Sequence, residues 1–201
     1  IWKLQLLNNN NDTEKAKRAA LAYIPNSISM LNMFCGFIAI FLSLNAYLKL
    51  DGDLIIAGMI LDGLDGRIAR RLKTYSKFGE KIDSKADYVT FGIAPAFLIS
   101  MYCIEELNVS MMLSIGIALS YFAGVYFRLW RFNKEGHQPD FSGIPSPIGA
   151  LFVTASIFSI IGQNYMLFIA LNCLNIGFMV SWLKYPHNET ANKKKFFKHL
   201  K

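Results

Sequence analysis

Four aspartates in two closely spaced pairs are the residues of this chain whose type and spacing point most directly to chemistry. Asp62 and Asp65 stand three apart, Asp83 and Asp87 four apart, so on helices each pair shares one face. Four unpaired carboxylates brought together repel one another. Divalent cations remove that conflict, and an all-oxygen set with no His or Cys nearby favours Mg²⁺ or Mn²⁺. Two such ions sharing the four acids suit a clamp on a phosphoryl group in transfer. Structural ion pairs with Arg67, Arg70, Arg71 or Lys81 are the competing reading. Gly63, Gly66 and Gly79 lie among the acids. A glycine inside a helix costs about 1 kcal/mol relative to Ala. These three therefore either bare the backbone to a phosphate or let helices pack closely. Ala69 is small on the same side, and Arg70 can grip phosphate oxygens in a bidentate way.

The elements that must position these acids are apolar. Hydrophobic residues make up 53% of the 201, charged residues 17%, and the mean hydropathy is +0.31. A soluble domain carries about 25% charged residues, so this composition excludes a disordered chain and argues against a soluble one. Charge is absent over residues 19–48, 88–104, 107–127 and 141–183, runs of 30, 17, 21 and 43 residues. A span needs about 20 mostly apolar residues. The longest run holds two, with a turn signal at Gly162-Gln163-Asn164. The reading is an all-α integral membrane protein with six transmembrane helices, near 27–48, 54–73, 79–104, 109–131, 146–162 and 165–184. The two acidic pairs then fall on antiparallel neighbours joined by a basic turn.

Placement of the basic residues sets the orientation. Six spans put 20 of the 21 Lys and Arg residues on the side of both termini, with Lys49 alone opposite. That side is cytoplasmic, and the acids sit near it. The net charge of +7 is thus a membrane-surface feature, and nucleic acid is not an expected partner. No signal peptide is expected. Residues 1–23 read as an N-terminal segment with a basic, juxtamembrane amphipathic helix over Asp12–Tyr23, capped by Asp12 or Thr13. Residues 24–187 form the six-helix domain, and 188–201 a basic cytoplasmic tail with Lys193-Lys194-Lys195. Cys35, Cys103 and Cys173 are widely separated in apolar stretches and read as buried free thiols.

The run Asp62-Gly-Leu-Asp65-Gly66-Arg-Ile-Ala69-Arg70, eight residues, then Gly79-Glu-Lys-Ile-Asp83-Ser-Lys-Ala-Asp87 resembles the DxxDGxxAR…GxxxDxxxD pattern of the CDP-alcohol phosphotransferases. That family has six transmembrane helices and displaces CMP from a CDP-linked lipid or alcohol with a hydroxyl nucleophile. The resemblance implies that Asp62, Asp65, Asp83 and Asp87 hold two Mg²⁺ or Mn²⁺ ions on the pyrophosphate, and that Asp87 also takes the proton of the attacking hydroxyl. It implies a CDP-lipid site at Gly66, Ala69, Arg70, Ser76 and Gly79. Asn32 is a further nucleotide candidate, an interhelical hydrogen bond being its alternative.

Residues 23–32, 83–96, 128–133, 143–147 and 184–187 are similar to the serine-accepting branch, which makes phosphatidylserine, with a small departure at Lys85 where a leucine is expected. This implies CDP-diacylglycerol and L-serine as substrates, membrane lipid as surroundings and a homodimer. Arg128 and Arg131, three apart on one helix face, are candidates for the serine carboxylate; positive-inside anchoring is the alternative. Pro145 and Pro147 shape the start of the fifth helix beside them. Synthesis of archaetidylserine, phosphatidylglycerophosphate or phosphatidylinositol phosphate is the rival within the family. A cation transporter is the rival outside it, against which stand the lack of an internal repeat and the one-sided placement of the acids beside Arg70.

Overall fold

A computed structural model describes residues 2–72, 74, 77–135, 140–142, 144–159, 164–181 and 184–186. Helices occupy most of the described residues in the charge-free runs. Helix α1 spans Trp2–Leu44, α2 Leu48–Leu72, α3 Lys77–Asp87, α4 Ala94–Glu105, α5 Met111–Glu135, α6 Ser146–Phe158 and α7 Tyr165–Val180. A π-helical segment, Tyr88–Ile93, joins α3 to α4 without a break. Two three-residue strands, β1 Asp140–Ser142 and β2 Lys184–Pro186, pair antiparallel with Phe141 opposite Tyr185.

Among the described residues, three helices are long and apolar enough to cross a membrane: Tyr23–Leu44, Phe78–Glu105 and Met111–Arg131. Helix α2 carries Asp51, Asp53, Asp62, Asp65 and three arginines, which removes it from that set. Helices α6 and α7 are apolar but shorter. The sixth helix stops at Val180 rather than at 184, because Ser181 turns to extended backbone and Pro186 biases Tyr185 away from helix. It begins where expected: the Asn164 side chain accepts from the N–H groups of Met166 and Leu167.

The N-terminal helix expected over Asp12–Tyr23 is not a separate element. Helix α1 runs unbroken through Asp12, Thr13 and Pro25. Lys, Arg, Ala, Glu and Leu dominate that stretch and all favour helix. Pro25 removes one N–H donor from the ladder but does not end it. The basic tail 188–201 lies outside the described residues.

The interior is formed by Ile55, Phe91, Leu98, Tyr121, Val125, Val153, Phe168 and Met179. Large apolar side chains also face outward, among them Phe34, Phe37, Phe41, Met112 and Leu119. Apolar inside and out, together with three helices long and apolar enough to cross a membrane, is the pattern a lipid surround permits. All three cysteines are free. Cys103 is buried and Cys35 half-buried, but Cys173 is exposed, contrary to expectation. It sits on an outward face of α7, where an apolar thiol faces the same surroundings as Leu174.

Candidate functional site

The acids meet because small residues let three helices close up just beneath them. Thr90, in the π-helical segment, is fully buried and donates to the Asn32 carbonyl of α1 at 2.9 Å. It lies against two glycines. A Cβ on Gly36 would come 2.6 Å from Thr90 Oγ1, and one on Gly58 would come 2.5 Å from Thr90 Cγ2. No other residue type fits such an approach. Asp62 lies one helical turn beyond Gly58, and Asp87 three residues before Thr90, so the close contact fixes the spacing of the two acids. The π geometry leaves main-chain groups to be satisfied by side chains, and Tyr121 donates its hydroxyl to the Phe91 carbonyl at 3.0 Å.

Carboxylate oxygens of Asp62, Asp83 and Asp87 lie within 4.8 Å of one another. Asp62 and Asp87 lie close enough for their charges to interact. Asp83 Oδ1 and Asp87 Oδ1 are buried without a partner. Among the described residues none of the four acids pairs with Arg67, Arg70, Arg71 or Lys81, so the ion-pair alternative does not account for them. Orphaned oxygens in a tight all-oxygen cluster are the donor set that a hard divalent cation takes. Asp65 stands slightly apart. It is 5% exposed, and its Oδ2 accepts from the Ser29 hydroxyl of α1 at 2.5 Å. Ser29 went unremarked in the sequence, since a buried serine carries no spacing signal of its own.

Around the acids, among the described residues, Gly63 and Gly66 have nothing within 4 Å of where a Cβ would stand, so packing between the described helices does not call for them. Ala69 and Gly79 are half-buried. Arg70 is exposed and donates Nε to the Gly66 carbonyl at 3.1 Å. Ser76 lies outside the described residues. Asn32 is fully buried, and neither end of its amide has a partner. The interhelical bond at this position runs through its backbone carbonyl, while its Oδ1 abuts Gly58.

Arg128 and Arg131 are 8% and 4% exposed, and their neighbours differ. Arg128 is close enough to Asp87 for their charges to attract, and its Nη1 donates to Ser146 Oγ in the first turn of α6. Arg131 donates to the carbonyls of Val180 and Ser181 at 3.2 and 3.4 Å, at the C-terminal end of α7. A cation there meets carbonyls the helix leaves unsatisfied. Pro145 and Pro147 flank Ser146 at the start of α6, as the sequence suggested.

A family model described as CDP-alcohol phosphatidyltransferase matches residues 22–185. A Helicobacter pylori (strain ATCC 700392 / 26695) protein named CDP-diacylglycerol--serine O-phosphatidyltransferase is 33% identical over 178 residues, covering 83% of this chain and 73% of that protein. A Bacillus subtilis (strain 168) protein of the same name is 35% identical over 166 residues, covering 82% and 90%. An archaetidylserine synthase of Methanothermobacter thermautotrophicus is 32% identical over 167 residues, covering 81% and 69%. The matched region contains α2, α3 and every acid of the cluster, and the chain belongs to the CDP-alcohol phosphatidyltransferase family.

Proposed function

We propose that this chain transfers the phosphatidyl group of CDP-diacylglycerol to the hydroxyl of L-serine, releasing CMP. The observation that carries the reading is the cluster of Asp62, Asp83 and Asp87 with Arg128 beside Asp87. Family membership and the names of the relatives point to the same reaction.

Asp62, Asp65, Asp83 and Asp87 would hold two Mg²⁺ or Mn²⁺ ions, which neutralise charge on the pyrophosphate as CMP departs. Gly66, Ala69, Arg70, Ser76 and Gly79 seat the nucleotide and its phosphates. The open space over Gly63 and Gly66 supports that placement. Asn32, buried beside Gly58 with both ends of its amide unpartnered, is the further contact for the nucleotide. Serine enters with its carboxylate toward Arg128. Its hydroxyl attacks the phosphorus bearing the diacylglycerol; the new O–P bond forms as the bond to CMP breaks. The hydroxyl proton passes to Asp87, and CMP leaves with the bonding electrons. A carboxylate placed within hydrogen-bond reach of a weak nucleophile is the general base this step needs. Arg131, engaged with the end of α7, holds the floor beneath Arg128 rather than the substrate.

Six helices cross the membrane, with both termini and the site on the cytoplasmic side, where serine and CMP have access. The acyl chains remain in lipid, and the protein works as a homodimer. Residues 24–187 form the catalytic domain, with a basic segment on either side. An acceptor screen tests the reading. Purified protein with CDP-diacylglycerol and Mn²⁺ is given serine, glycerol 3-phosphate or inositol phosphate, and CMP release is followed. Serine alone should drive it; release with only a phosphorylated acceptor overturns the assignment. The archaeal relative favours a second donor, a CDP-linked ether lipid, which the same assay compares directly.

A further inference from the structure

We propose that Ser29 is a positioning residue: its hydroxyl holds Oδ2 of Asp65 and so fixes the orientation of that carboxylate toward the other three acids. The inference rests on the metal reading above. Asp65 and Ser29 are 5% and 4% exposed, so water does not substitute for either partner. Their 2.5 Å separation falls in the charge-assisted range for a hydroxyl and a carboxylate, about 2.5–2.7 Å. The Pro25 carbonyl lies 3.2 Å from the same hydroxyl. Ser29 has one proton to give, and the shorter bond to a charged acceptor takes it.

The reason a restraint is needed lies in the side chain. An Asp carboxyl turns about a broad, two-fold torsion. Oxygens of Asp62, Asp83 and Asp87 converge within 4.8 Å of one another, but Asp65 is not within that group. Its anchor comes from a different helix, 36 residues earlier in the chain. Helix α1 thereby contributes to the acid site without placing a ligand in it. Losing such an outer partner costs about 10–100-fold in metal affinity.

Mn²⁺ binding, followed by electron paramagnetic resonance on the full chain in detergent micelles, tests this apart from turnover. Ser29→Ala should weaken Mn²⁺ binding about tenfold or more, and Ser29→Thr, which keeps the hydroxyl, should restore it. In an Asp65→Asn background Ser29→Ala should add no further loss, because the two act through one carboxylate. Unchanged Mn²⁺ affinity in Ser29→Ala, with a clear loss in Asp65→Asn, overturns the positioning role and leaves the metal reading standing. No Mn²⁺ binding by the unaltered protein overturns both. Should Ser29→Ala fail to fold, Ser29→Cys, whose thiol is a weak donor, carries the same comparison.

Discussion

Adding one methyl group at Gly58 should disable the site from a distance. The new Cβ would stand 2.5 Å from Thr90 Cγ2 and 2.8 Å from Asn32 Oδ1. Carbon atoms settle about 3.5–4.0 Å apart, so α2 and the π-helical segment must part by about 1 Å at this level. Asp62 lies one turn along α2 and follows that shift, while Asp87 stays with the opposing segment. A misplacement of about 1 Å costs on the order of 100-fold in rate. Overpacking costs about 1–3 kcal/mol, which leaves a domain folded. Gly58→Ala should therefore fold, bind Mn²⁺ less tightly and release CMP about 100-fold more slowly at saturating serine. Thr90→Ser removes the offending methyl and keeps the bond to the Asn32 carbonyl; the unpartnered Asn32 amide can swing aside. The double variant should recover much of the rate. Gly36→Ala is the contrast, because its Cβ would meet the Thr90 backbone at 2.9 Å, and Thr90→Ser gives no relief there. A Gly58→Ala protein with normal turnover and normal Mn²⁺ affinity would refute the claim that this contact sets the acid spacing.

Chelation by EDTA should abolish CMP release, and Mn²⁺ or Mg²⁺ should restore it; full activity in EDTA would remove the metals from the site. Asp87→Asn should lose turnover while the protein still folds, and near-normal kcat would show that the proton goes elsewhere. Arg128→Gln should raise the serine KM about tenfold with little change for CDP-diacylglycerol, as expected for a lost charge-assisted contact worth about 1.5–3 kcal/mol. Arg131→Gln should instead lower the melting temperature and leave the serine KM nearly unchanged; equal KM effects in both would return Arg131 to the substrate. Cysteine at Glu106 should be labelled by an impermeant reagent from outside intact cells and cysteine at Lys193 should not; the reverse would overturn the six-span orientation.

The acids were legible because their chemistry imposes type and spacing together: pairs at three and four residues on helices mark a shared face before any coordinates exist. The helices were legible because water-free surroundings demand long charge-free runs. Boundaries were less so. Nothing between Asp12 and Pro25 forbids helix, so a division expected on function is not made by the backbone. The short strands β1 and β2 carry too few residues for a pattern and exist only because two distant segments meet.

Arg128 and Arg131 show where reading by residue type ends. They have the same side chain, lie one turn apart and share a helix face, and the sequence offers no ground for giving them different work. Their partners come from elsewhere in the chain: Asp87 and Ser146 for one, the last carbonyls of α7 for the other. The same holds for Ser29, Gly58 and Thr90, small residues that are common in any membrane helix. A carboxylate announces a cost that something must offset, so it can be read alone. A methyl-sized gap or a single hydroxyl gains meaning only from what the fold brings against it. In this chain the acids are written in the sequence, and their spacing is written in the packing of α1, α2 and the π-helical segment.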